Sequence, residues 1–133
     1  ENVRYTHQGW FTEDYKYFIV GDELDELSYG GNTRTLIFNL TDLDNPSLSF
    51  EYFGTTPAID HNGYTVGDSY FLANYRAGMR EIDISQIESN LMTEVGYFDT
   101  YPENDNPRIG ACSIEINRPY NNPVQPENSS QKR

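Results

Sequence analysis

The sequence predicts an all-β chain, and three observations carry that expectation. Its apolar residues fall in short runs rich in β-branched and aromatic side chains, Gly, Asp, Asn and Pro separate the runs, and the whole pattern occurs twice. The chain has 133 residues, about one average domain. Its 11 Tyr, 7 Phe and 1 Trp supply more aromatic surface than disordered chains carry. Strands are expected over 17–20, 35–40, 47–52, 69–74, 79–84 and 93–97. In the third of these Leu48, Phe50 and Tyr52 alternate with Ser47, Ser49 and Glu51, which predicts one buried and one wetter face. One helical turn is expected over 85–91, and no other helix.

The repetition fixes the organisation. His7-Gln8-Gly9-Trp10 recurs as His61-Asn62-Gly63-Tyr64, and Tyr17-Phe18-Ile19-Val20 as Tyr70-Phe71-Leu72-Ala73. Ile37 to Thr41 matches Glu81 to Ser85, and Tyr52-Phe53-Gly54-Thr55 matches Tyr97-Phe98-Asp99-Thr100. A base unit of about 45 residues with some four strands has the size of one β-propeller blade. The first unit also carries an acidic insertion between Gly21 and Arg34. Repeats are placed near 6–55, 60–100 and 101–116, with propeller repeats over 1–116 and a polar linker or disordered tail over 117–133. A blade buries both faces only by stacking on neighbours, so a fragment of a larger propeller is expected, completed by remaining blades or by another chain.

Charge and cysteine content exclude several classes. With 21 acidic against 9 basic residues and a net charge of -12, the chain repels phosphate backbones, and nucleic acid is not an expected partner. The single cysteine, Cys112, forms no internal disulfide and no zinc-finger spacing. No window reaches the roughly 20 apolar residues of a membrane helix. The familiar nucleophile-elbow, phosphate-loop, metalloprotease and dinucleotide fingerprints are absent. Asn39-Leu40-Thr41 and Asn128-Ser129-Ser130 match the glycosylation sequon, the first inside an expected strand.

Three constellations carry candidate chemistry. Asp22, Glu23, Asp25 and Glu26 crowd four carboxylates into the insertion, either a solvated acidic loop or a site for a hard cation such as calcium. A packed loop would favour the metal, because repulsion among buried carboxylates is costly. His7 and His61, the only histidines, stand at equivalent places in two repeats. With Asp60 and with Asp22 or Glu23 they would meet zinc or another transition metal, or act as acid and base, if brought within about 5 Å of one another. Otherwise they cap turns or bond to backbone. Trp10, Tyr64 and Tyr75, with Tyr29, would form a sugar-binding aromatic surface, or pack blade on blade. Arg76 would recognise a carboxylate or stack on a ring, and Arg76 and Arg80 are also placed to form salt bridges.

His7-Gln8-Gly9-Trp10-Phe11-Thr12-Glu13-Asp14 followed by Gly21-Asp22-Glu23-Leu24-Asp25-Glu26 resembles the choice-of-anchor B proteins, which are LVIVD-repeat propellers. Asp60-His61-Asn62-Gly63-Tyr64 leading to Ala73-Asn74-Tyr75-Arg76-Ala77-Gly78-Met79-Arg80-Glu81-Ile82-Asp83 is similar to the same repeat. The likeness runs from about Tyr5 to Asn106 and fades after about Ile116. It implies a secreted or cell-surface β-propeller and no particular activity. Two functional expectations follow. The first is a non-enzymatic module binding protein or glycan partners through its loops, with calcium stabilising the insertion. The second is a metal-dependent hydrolase or lyase whose site gathers His7, His61, Asp60, Asp22 and Glu23 at one end of the channel.

Overall fold

Two four-stranded antiparallel sheets make up residues 2–107, the part of the chain that the computed structural model describes. The first sheet holds β1 (Gly9–Phe11), β2 (Tyr17–Gly21), β3 (Arg34–Asn39) and β4 (Ser47–Phe53) in sequence order. The second holds β5 (Gly63–Val66), β6 (Ser69–Asn74), β7 (Gly78–Asp83) and β8 (Thr93–Phe98), also in order. The all-β expectation is met. Each expected strand is present with ends that agree or shift by one residue, because β-branched and aromatic runs suit a pleated, half-buried surface. The expected turn after β7 is a 3-10 turn at Ile87–Ser89. The third repeat from residue 108 and the tail over 117–133, with Cys112 and the second sequon, lie outside the described residues.

The insertion is the main departure from expectation. A short helix, α1 (Asp25–Tyr29), forms there instead of an open loop. The chain enters it through Leu24, whose φ of 78° lies in the left-handed region that non-glycine residues rarely occupy. A second departure is Tyr75–Ala77, a 3-10 turn joining β6 to β7.

The ladders show how the repeats correspond. In the first sheet Gly9 pairs with Val20, Val20 with Leu36 and Leu36 with Glu51. In the second, Gly63 pairs with Leu72, Leu72 with Arg80 and Arg80 with Tyr97. The bulges agree, falling between Ile37 and Phe38 in one sheet and between Glu81 and Ile82 in the other. Val20 therefore corresponds to Leu72 and Phe18 to Tyr70, one residue out of step with the match by residue type. A slip of one residue exchanges the two faces of a strand. The correction thus decides how the sheets stack.

Ile19 and Ile37 on the first sheet, with half-buried Phe50 and Tyr52, pack against Tyr70, Leu72 and Ile82 of the second. The counterparts of Ile19, Ile37 and Phe50 are Phe71, Glu81 and Gly96, which lie on the opposite face of the second sheet. The two sheets therefore stack head to tail, one repeat's front on the next repeat's back. The β4 bulge sets Leu48 beside Phe38 and Phe50 beside Ile37, so the expected single apolar face is divided between both sides of the strand. The first strands are joined by a side chain: Gln8 Nε2 donates to the Gly63 carbonyl at 2.7 Å, and the Gly63 N–H donates to Gln8 Oε1 at 2.9 Å. Among the described residues no helix is long and apolar enough to cross a membrane.

Candidate metal centre

Glu23 leaves the end of β2 just before the left-handed turn at Leu24, and Tyr75 leaves the corresponding end of β6. Gly21 corresponds to Ala73 in the ladders, so Glu23 and Tyr75 occupy equivalent positions in the two repeats, as His7 and His61 do. The four side chains meet. His7 Nε2 lies 2.6 Å from Glu23 Oε2, and the Tyr75 hydroxyl donates to Glu23 Oε1. The rings of His7 and His61 are 5.2 Å apart, and those of His61 and Tyr75 5.4 Å apart.

Among the described residues, His7, Glu23 and His61 converge so that one potential ligand atom from each lies within 4.8 Å of the others. Ligands about 2.0–2.2 Å from a zinc ion stand roughly 3.5 Å apart, so an ion would part His7 Nε2 from Glu23 Oε2, now 2.6 Å apart, and draw in the wider-set atoms of the group, which stand within 4.8 Å. The donor set suits a borderline transition metal. An orphan atom adds to the fit: His61 Nδ1 is buried and has no hydrogen-bond partner. An unsatisfied buried polar atom is costly, and a metal bond would satisfy it. His7 is about a quarter exposed at its side chain, which leaves the centre a side open to solvent.

The ligands are held from behind. The Asp22 carboxylate accepts the N–H groups of Arg4, at 2.9 and 3.1 Å, and Tyr5, at 2.8 Å, pinning the segment that presents His7. The Tyr5 ring lies 5.1 Å from that of His7. Asp60 is fully buried over Gly21, where an added Cβ would come within 2.2 Å of Asp60 Oδ2. Only glycine permits that approach. Arg34 sets a guanidinium among the acids, 3.5 Å from Asp22, 3.7 Å from Asp25 and 2.8 Å from Glu51.

The insertion is not the solvated acidic loop. Asp22, Glu23, Asp25 and Glu26 are all buried. Nor do the four carboxylates share one point. Asp22 is taken by backbone, Glu23 joins the histidines, and Asp25 and Glu26 lie on α1 with buried oxygens lacking partners. Burial, reinforced by neighbouring carboxylates, pushes Glu26 up to about 9 and raises Asp60 well above the usual carboxylate range. Burial also raises Asp25. These acids hold protons that water would strip from them, which limits the negative charge behind the centre.

The remaining candidates go elsewhere. Trp10 and Tyr64 meet edge to face at 4.9 Å, joining the first strands of the two sheets while Trp10 stays 38% exposed. Tyr29 is exposed on α1. Arg76 donates to Asn104 Oδ1 at 2.8 Å and lies over the Tyr101 ring. Arg80 pairs with Glu94 at 3.3 Å and covers Tyr97. Sequence reasoning missed Arg34, and it placed Tyr75 on a sugar-binding surface instead of at this cluster. The signal for Tyr75 was its place in the repeat, concealed by the one-residue misregister.

No protein-family model, curated protein or solved structure matches this chain.

Proposed function

We propose that this chain is a segment of a secreted or cell-surface β-propeller of the choice-of-anchor B type, built around a divalent transition-metal centre held by His7, His61 and Glu23. The convergence of those three side chains carries the reading. Three protein ligands with a side open to solvent is the arrangement of catalytic zinc sites, in which the remaining position takes water or substrate. Such a metal lowers the pKa of bound water toward neutrality and polarises a carbonyl or phosphoryl oxygen. The chemistry proposed is therefore metal-assisted hydrolysis, and the blades act as the frame that brings equivalent positions to one point. Head-to-tail stacking supports the propeller, since each sheet presents a front and a back that further blades of the same kind would cover.

Elemental analysis and metal titration of the purified chain test this reading. One zinc, manganese or iron per chain is expected, with affinity falling at least about 100-fold in His61→Ala. A chain with no stoichiometric transition metal, or a His61→Ala variant binding as tightly as the parent, would overturn it.

A second reading is favoured by the partly exposed Trp10–Tyr64 pair, an aromatic surface of the kind that binds glycans or protein loops. Glycan binding that survives His61→Ala but not Trp10→Ala would establish it.

A further inference from the structure

Tyr75 touches two of the three proposed ligands and is itself none of them. Its hydroxyl donates to Glu23 Oε1, and its ring stands against that of His61. Its backbone is held at φ 26°, outside the ordinary region for a residue with a side chain. Such a conformation persists only where the surroundings enforce it, and it is concentrated at functional sites. The Tyr75 to Ala77 turn begins at that residue, so the backbone is bent where the side chain must reach back across to the other repeat's carboxylate.

Resting on the metal-centre reading, we infer that Tyr75 is a positioning residue of that centre. Its hydroxyl occupies Glu23 Oε1 and so presents Glu23 Oε2 alone, while its ring fixes the plane of His61. Glu23 Oε2 is the oxygen within 2.6 Å of His7 Nε2, so the carboxylate atom that Tyr75 leaves free is the one set beside an imidazole nitrogen. Without the phenol, the carboxylate would be free to rotate and offer either oxygen or both. Outer partners that orient a carboxylate or histidine ligand typically contribute 10–100-fold in metal affinity.

Cobalt(II) titration of the full chain, followed by the ligand-field absorption of the bound ion, tests the inference in the parent, Tyr75→Phe and His61→Ala. Phenylalanine keeps the ring and removes only the donor. The parent is expected to bind one cobalt ion. Tyr75→Phe should bind about 10–100-fold more weakly, with altered absorption bands but an unchanged metal-free melting temperature, and His61→Ala should lose the bands. Equal affinity and identical bands in Tyr75→Phe would overturn the positioning role and leave the centre standing. A metal-free Tyr75→Phe that melts well below the parent would assign the hydroxyl to the fold and overturn it too. A parent that binds no cobalt would overturn the metal centre itself, and the inference with it.

Discussion

Asp25, Glu26 and Asp60 lie buried with carboxylate oxygens that no other group satisfies, and that state has a consequence for stability against pH. Glu26 ordinarily loses its proton near 4.5, but in the folded chain it holds it up to about 9. Between those values the folded form binds more protons than the unfolded form, so stability falls as pH rises. The contribution is fully present below about 4.5 and gone above about 9. Melting temperatures taken from pH 5 to pH 9 should therefore decline, and Glu26→Gln should make the decline shallower. An equal slope in the variant would place the protons elsewhere. The sequence exposed the acidic run but not its burial. Nothing in Asp22-Glu23-Leu24-Asp25-Glu26 announces that Arg34 and the N–H groups of Arg4 and Tyr5 come back to meet it. Those contacts span long stretches of chain, and local composition carries no record of them.

At the scale of elements, six strands were legible because their runs are long enough to show an apolar pattern. β1 and β5 were not, being short and opened by glycine, although the recurrence of His-x-Gly marked where they lie. Helix α1 escaped notice for a related reason: five residues with two acids at the start show no helical period. β5 also carries a close approach, since a Cβ on Gly63 would stand 1.9 Å from the hydroxyl of fully buried Tyr70. Gly63→Ala is expected to cost about 1–3 kcal/mol, as overpacking forces Tyr70 aside. Gln8→Ala, which removes the side-chain bridge to β5 and leaves the Gly63 N–H and carbonyl unpaired, should cost about 1–3 kcal/mol. Chemical denaturation checks both, and a Gly63→Ala variant as stable as the parent would show that the close approach is relaxed in solution.

Over the whole molecule, head-to-tail stacking makes equivalent residues unequal. Ile37 and Glu81 share one position in the repeat, yet Ile37 is fully buried between the sheets and Glu81 lies on the open face, accepting a hydrogen bond from Ser69 at 2.9 Å. Ile37→Ala should cost about 2–5 kcal/mol and speed amide exchange in both sheets together. Glu81→Ala should change stability by less than about 1 kcal/mol. Similar costs at the two positions would contradict the stacking order. Residue types paired Ile37 with Glu81, but matching Tyr17 to Tyr70 put β2 and β6 one residue out of step, so the face each repeat turns to the other stayed hidden. The ladders set that register, with a bulge at the same place in each sheet, and bulges leave no letter in the sequence. Their recurrence also bears on descent. Because the first unit meets the second through unlike surfaces, the front of one on the back of the other, a further copy of the unit would bring a face that already fits, and a lineage can lengthen such a protein by copying alone.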